Sequence, residues 1–223
     1  MGIDGVEHPA WWSASGGGLF DRVKWLETLD HAEVAATAEA LAKHHVVVDA
    51  TLIAIHTKFF GNSPRYLENP DNALAPPLVE RGWAPGSFTR DWTAAQYDEA
   101  QRAWPKLLAL QKTLFDAGVV MTVGTDMPTP WIVPGASMHD EMLLLRDAGI
   151  PPMDVLRMAT SNAALALHRD SGAIAAGKRA DLVLLTANPL DDLRNTRKIE
   201  LVVKGGVAYD PRGLLADATA RSH

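Results

Sequence analysis

Three short β-like runs, GIDGVEH at residues 2–8, VVVDATLI at 46–53 and VVMTVG at 119–124, alternate with segments of helical spacing. That alternation restricts the chain more than any other feature. Parallel neighbours need a long crossover between them, so strand-length runs separated by helices predict parallel βα units and an α/β fold. Asp30, followed three residues later by Glu33, predicts a capped helix reaching His44, with Val34, Ala38 and Leu41 on one face. A second helix is expected over residues 94–117, stopped by Gly118. A third is expected to open at Ser137 and end at Gly149, and a fourth to cover residues 153–168. Residues 57–93, rich in proline, glycine, asparagine and aromatics, read as a long functional loop of the lid type. After Gly172 the pattern becomes two hairpin-like stretches, GAIAAGKRADLVLLTANP and KIELVVKGGVAYDP. A boundary near 170–175 and a small β unit beyond it are expected.

Composition excludes several classes. The 223 residues are 47% hydrophobic and 22% charged, with a net charge of −6 and no clustered basic stripe, so no nucleic-acid partner is expected. There is no cysteine, which removes disulfides and thiolate metal sites. No apolar run approaches the roughly 20 residues that span a bilayer, so no membrane partner is expected. The first residues lack the basic start and apolar stretch of a signal peptide, which leaves a cytoplasmic location as the default.

In parallel α/β folds, ligands sit where the carboxyl ends of strands open into loops. Three such loops follow His8, Ile53 and Gly124, and they contain Trp11 and Trp12, Trp83 and Trp92, and Trp131. Together these tryptophans suggest an aromatic-walled pocket. The segment VGTDMPTP ends a strand in a carboxylate. Asp126 is therefore either turn chemistry, satisfying local N–H groups before Met-Pro, or part of an active site. His56 follows the second strand and is a candidate substrate contact, as is Trp131. His139 falls in the first turn of the helix after the third strand, within range to orient Asp126 or to make a structural hydrogen bond.

The motifs GIDGVEH, VVVDATLI, VGTDMPTP, SMHDEMLLLRDAGIPPMDVLRMATSNAALAL and GAIAAGKRADLVLLTANPL occur in this order. As a set they resemble the C-terminal half of an amidohydrolase-superfamily enzyme, nearest to the imidazolonepropionase-like and Xaa-Pro dipeptidase-like hydrolases. The phrase Gly-x-Ile followed by Gly-Lys-x-Ala-Asp-Leu-Val, at residues 172–183, is its most specific part. The resemblance implies the C-terminal part of a (β/α)8 TIM-type barrel over residues 1–171 and the C-terminal strands of a small β-sandwich over 172–223. It implies a hydrolase of C–N bonds in amides or cyclic amides, using one or two divalent metals, expected to be zinc. His8 would be a metal ligand. Asp126 would be both a ligand and the group that takes the proton from the attacking water and passes it to the leaving nitrogen. His8 would ligate through one ring nitrogen while a partner holds the other. Lys178 and Asp181 belong to the sandwich phrase and read as architectural. The substrate expected from the subgroup is a cyclic amide or a proline-containing dipeptide.

A (β/α)8 barrel takes about 250 residues by itself, and only three of its strands are visible here. The chain holds no His-x-His and no further metal histidine ahead of His8. The expectation is therefore a C-terminal fragment, inactive and poorly metallated alone, whose partner is a missing N-terminal half or a second copy of the chain. A non-catalytic remnant of the same fold, retained as a binding or assembly module, is the alternative.

Overall fold

A computed structural model describes residues 3–9, 18–83 and 88–220. Strands β1 (Gly5–Glu7), β2 (Val47–Asp49) and β3 (Met121–Thr122) form one parallel sheet in the order β1-β2-β3. Gly5 pairs with Val47, Val6 with Val48, and Glu7 with Asp49, while Val48 pairs with Met121 and Asp49 with Thr122. Side chains alternate across a strand, so Val6, Val48 and Met121 share one face. The other face carries Gly5, Glu7, Val47, Asp49 and Thr122. Val48 and Met121 are fully buried in the core. The opposite face, together with Ala163, Ala166 and Leu167, lines an open cavity of about 610 Å³.

The crossovers are helical, as the sequence pattern requires. Between β1 and β2 lie α1 (Leu19–Glu27) and α2 (His31–Lys43); the Asp30 carboxylate caps α2, accepting from the Ala32 and Glu33 N–H groups. Helix α1 was not expected; its buried side chains are Val23 and Leu26. Between β2 and β3 come α3 (Leu52–Phe60), the short α4 (Pro64–Leu67), a 3₁₀ turn at Pro70–Leu74, α5 (Pro77–Arg81) and α6 (Ala94–Asp116). Two expectations are corrected here. The run VVVDATLI is not one strand: it ends at Asp49, and Leu52 already opens α3, whose residues 52–59 are all buried. The segment 57–93 is not a structureless lid, because α3 runs into it and short helices continue it.

Helix α6 starts with a reciprocal cap, Thr93 to the Gln96 N–H and Gln96 back to the Thr93 N–H. It packs against α1, α2, α3 and the next helix, α7 (Ala136–Asp147). Gly135, not Ser137, precedes the first turn of α7. The Ser137 hydroxyl instead accepts from the Val133 N–H at 2.8 Å, fixing the loop that leads in. Helices α8 (Pro152–Arg157) and α9 (Ala163–Ala166) are joined by a π-helical turn at Met158–Asn162. The Asn162 amide donates to the Met121 carbonyl at 3.0 Å, tying that turn to β3.

Beyond Gly172, β4 (Leu182–Leu185), β5 (Ile199–Lys204) and β6 (Val207–Tyr209) form an antiparallel sheet, with the Gly205–Gly206 turn closing the β5–β6 hairpin. A 3₁₀ turn at Leu193–Arg197 interrupts the tail, and α10 (Pro211–Ala220) follows β6; neither was expected. Polar contacts dock the 3₁₀ turn on α7. The Arg197 guanidinium donates to Asp71 at 2.8 Å, to Asp140 at 3.1 Å and to the Ala136 carbonyl at 3.0 Å.

Candidate functional site

The carboxyl ends of the three strands bring His8, Asp49 and Asp126 together. His8 and Asp126 both have left-handed backbones, with φ of 55° and 56°. Such φ values are uncommon outside glycine and enriched in Asp, Asn and His. Each residue turns the chain sharply just past its strand. The His8 N–H donates to the Asp49 carbonyl at 3.2 Å, extending the β1–β2 ladder by one step. The His8 Nδ1 lies 2.5 Å from the Thr51 hydroxyl, and Nε2 faces Asp126 Oδ2 at 3.9 Å and Glu7 Oε2 at 3.7 Å. The Thr129 hydroxyl donates to Asp126 Oδ2 at 3.1 Å, so the carboxylate is held from its own loop.

Asp49 was not anticipated, although it is the last residue of β2, while Asp126 lies in the loop after β3. Its Oδ1 is buried and has no hydrogen-bond partner among the described residues. Burial, and then the charges of Glu7 and Asp126, push its carboxyl up to about 6, against a bond from the Thr51 N–H. Its carboxylate lies over Gly124, where a Cβ would come within 2.1 Å of Oδ2. Glycine at that position is what lets the carboxylate sit there.

An imidazole nitrogen and a carboxylate oxygen 3.9 Å apart suit two donors about 2.0–2.2 Å from one shared cation. The orphaned Asp49 oxygen adds negative potential beside them. Among the described residues no cluster of three or more His, Cys, Asp or Glu could hold a metal ion. The residues present thus fit a divalent cation as a pair of ligands and not as a full set.

The other candidates fall elsewhere. His56, 6% exposed, stacks on Phe60 at 4.2 Å, meets Trp104 edge-on at 4.7 Å, and has Nδ1 2.5 Å from the Tyr66 hydroxyl. It is a core histidine in this arrangement, on the helix-packed side of α3. His139 Nδ1 is 2.9 Å from the Thr196 hydroxyl and so bonds to the tail rather than to Asp126. Trp131 stacks obliquely with Trp83 at 5.5 Å, and with Thr57, Lys58, Phe88 and Tyr97 it bounds a small cleft of about 30 Å³. Trp92 packs against Phe20, Phe59 and Tyr97 instead, and Trp11 and Trp12 lie outside the described residues. Lys58, overlooked in the sequence, is 8% exposed, donates to the Ala54 carbonyl at 2.9 Å and sits 5.0 Å from the Phe88 ring. Burial holds its amine down to about 8, partly countered by Asp126.

The burial of His56 has a measurable consequence. Its imidazole is held down to about 3, first by desolvation and then by Arg65. Between an ordinary imidazole value of about 6.5 and 3, the unfolded chain takes up a proton that the folded chain refuses, so stability falls as pH falls through that window. His56→Phe keeps the ring packing and removes the titration. Its urea midpoint is expected to fall less than the parent's between pH 6.5 and 4, the difference reaching on the order of 2–3 kcal/mol. Parallel curves for the two proteins would show that His56 is not held neutral.

A family model described as the amidohydrolase family matches residues 26–208. The chain belongs to that family. Over 103 residues it is 39% identical to an adenine deaminase of Serratia proteamaculans, a match covering 45% of this chain and 16% of that protein. Over 91 residues it is 40% identical to an imidazolonepropionase of Deinococcus deserti, covering 38% of this chain and 22% of that protein. Among solved structures, the bottromycin amidohydrolase superposes with a TM-score of 0.65 at 26% identity, covering 96% of this chain and 49% of that one. Each match thus covers less than half the length of the relative. Its three parallel strands and their helices are part of the family's TIM-barrel-type α/β fold.

Proposed function

We propose that this amidohydrolase-family chain forms part of a metal-dependent hydrolase of C–N bonds, with His8 and Asp126 at its reacting centre. The observation that carries the reading is the meeting of His8 Nε2 and Asp126 Oδ2, 3.9 Å apart, beyond the carboxyl ends of β1 and β3, the two strands that flank β2. When bound there, a divalent cation such as zinc acidifies water and polarises the scissile carbonyl or amidine. His8 and Asp126 would hold it, Asp126 would take the proton of the attacking water, and the same carboxyl would return it to the leaving nitrogen. Asp49 keeps the local potential negative. Trp131, with Trp83 beside it, is the apolar wall proposed for a ring-containing substrate, a cyclic amide or a proline-containing dipeptide, and the cleft of about 30 Å³ that it bounds must widen to take such a ring.

Residues 1–171 make up the barrel segment in this reading, and 172–223 the sandwich portion and tail. Two protein ligands are one fewer than a catalytic zinc site uses, so the remaining ligands come from a partner: further barrel strands or a second copy of the chain. The sheet face that carries Glu7, Asp49 and Thr122 beside Val47 bounds, with Ala163, Ala166 and Leu167, an open and largely apolar cavity of about 610 Å³, which supports such a partner.

Zinc content after dialysis and turnover of a panel of cyclic amides, N-acylated prolines and aminopurines test the proposal. The separated chain is expected to retain zinc substoichiometrically and to turn over none of the panel; the assembled enzyme hydrolyses a member of it until a strong chelator is added. Stoichiometric zinc in the monomer would overturn the two-ligand reading. Turnover that survives chelation would overturn the metal-hydrolase reading.

A further inference from the structure

Helix α3 begins in an unusual way. Its N-cap residue, Thr51, is 2% exposed and left-handed, with φ 44° and ψ 38°, and its side chain caps nothing. An N-cap threonine ordinarily sits in the extended region and accepts from the first turn with its hydroxyl. A β-branched residue in the left-handed region costs about 1–3 kcal/mol and persists only where its surroundings over-determine it. Two groups do so here. The Thr51 hydroxyl is turned away from its own helix to His8 Nδ1, 2.5 Å distant. The capping role it gives up is taken by Glu141 of α7, fully buried, whose two oxygens accept from the Leu52 N–H at 2.9 Å and the Ile53 N–H at 2.5 Å.

A buried carboxylate is costly unless it is paired or multiply hydrogen-bonded. Desolvation pushes Glu141 up to about 8 against the pull of those two N–H groups. The N-terminus of α3 is one of the few places in a core that suits it, because unpaired N–H groups and the positive end of the helix dipole meet there. The arrangement therefore reads as a sequence of supports. Glu141 holds the first turn of α3, that turn holds Thr51 in its strained conformation, and Thr51 holds the imidazole with Nε2 toward Asp126.

We infer that Thr51 and Glu141 are positioning residues that fix the orientation of the His8 ring. A hydroxyl suits the task because it both donates and accepts. With Nε2 protonated and facing the Glu7 and Asp126 carboxylates, the Thr51 O–H donates to Nδ1. With the Nε2 lone pair committed to a cation, Nδ1–H donates to the Thr51 oxygen. The hydroxyl can therefore hold the ring in the same orientation with either nitrogen carrying the proton. The inference rests on the proposed role of His8 only for its consequence on metal binding; the ring orientation stands independently of it.

The test uses the full chain, with Thr51→Val to remove the hydrogen bond at constant shape, Thr51→Ser to restore it, and Glu141→Gln to remove one of the two acceptors. The first readout is the three-bond coupling set of the His8 side chain in metal-free protein, which is insensitive to any role in hydrolysis. A single rotamer is expected in the parent and in Thr51→Ser, rotamer averaging in Thr51→Val, and an intermediate result in Glu141→Gln. The second readout is titration with Co²⁺, expected to weaken by about 10–100-fold in Thr51→Val and to recover in Thr51→Ser. Thermal unfolding of each variant confirms that the coupling is read on folded protein. An unaveraged His8 in folded Thr51→Val overturns the inference. Failure of the parent to bind Co²⁺ at all would count against the metal reading, while the coupling data would still decide the positioning role.

Discussion

Asp126→Asn is expected to lower kcat/KM of the assembled enzyme by about 10²–10⁴-fold, the range for loss of a positioned general base. The variant is a clean one for a structural reason. Asp126 has φ of 56°, and asparagine tolerates the left-handed region as readily as aspartate does. The amide oxygen can still accept from the Thr129 hydroxyl that now donates to Oδ2 at 3.1 Å. Fold and thermal midpoint should therefore be preserved while the negative charge facing His8 disappears. The check is a kcat and KM comparison alongside differential scanning calorimetry. Unchanged turnover in a folded variant would remove Asp126 from the reaction and return it to turn chemistry.

The largest expected loss of stability follows from Gly172→Ala. Gly172 has φ of 77°, where any side chain is strained, and an added Cβ would lie 2.6 Å from the Thr160 carbonyl oxygen, 2.8 Å from Ala164 Cβ and 2.9 Å from Ser161 Cα. Two of these three neighbours are backbone atoms of the π-helical turn, which cannot swing aside as a long side chain would. Left-handed strain of about 1–2 kcal/mol and overpacking of about 1–3 kcal/mol act on the same atoms. A loss of about 2–5 kcal/mol is expected, a large share of the 5–15 kcal/mol typical of whole domains. Urea unfolding measures it directly. A change below 1 kcal/mol would mean that the π-helical turn and the start of the tail can separate at little cost.

The sequence made His8 and Asp126 visible because both signals are local. Each lies just past a β-type run at the level where a parallel sheet opens into loops, and each belongs to a motif on which the resemblance rests. Thr51 was hidden for the opposite reason. It sits inside VVVDATLI, a run in which strand and buried helix have the same apolar appearance. The break between them is a left-handed threonine, which no propensity would place there. Glu141 reads as one more solvent-facing acid in MHDEMLLLRD; its acceptor role depends on N–H groups 88 and 89 residues away. His56 shows the converse error of proximity. It follows the second strand closely, but α3 begins at Leu52, and the helical turn carries the imidazole into the aromatic cluster of Phe60, Tyr66 and Trp104. Asp49 alone was within reach of the same strand-end logic that selected Asp126.

Helix α7 connects regions that the topology separates. Through Glu141 it closes the start of α3, through His139 it meets Thr196, and through Asp140 and the Ala136 carbonyl it grips Arg197. The 3₁₀ turn of the tail cannot lift away without loosening the helix that keeps Thr51 beneath His8. Tail and imidazole thus rest on one helix from opposite sides, and amide hydrogen exchange is expected to show the 3₁₀ turn and the start of α3 opening together.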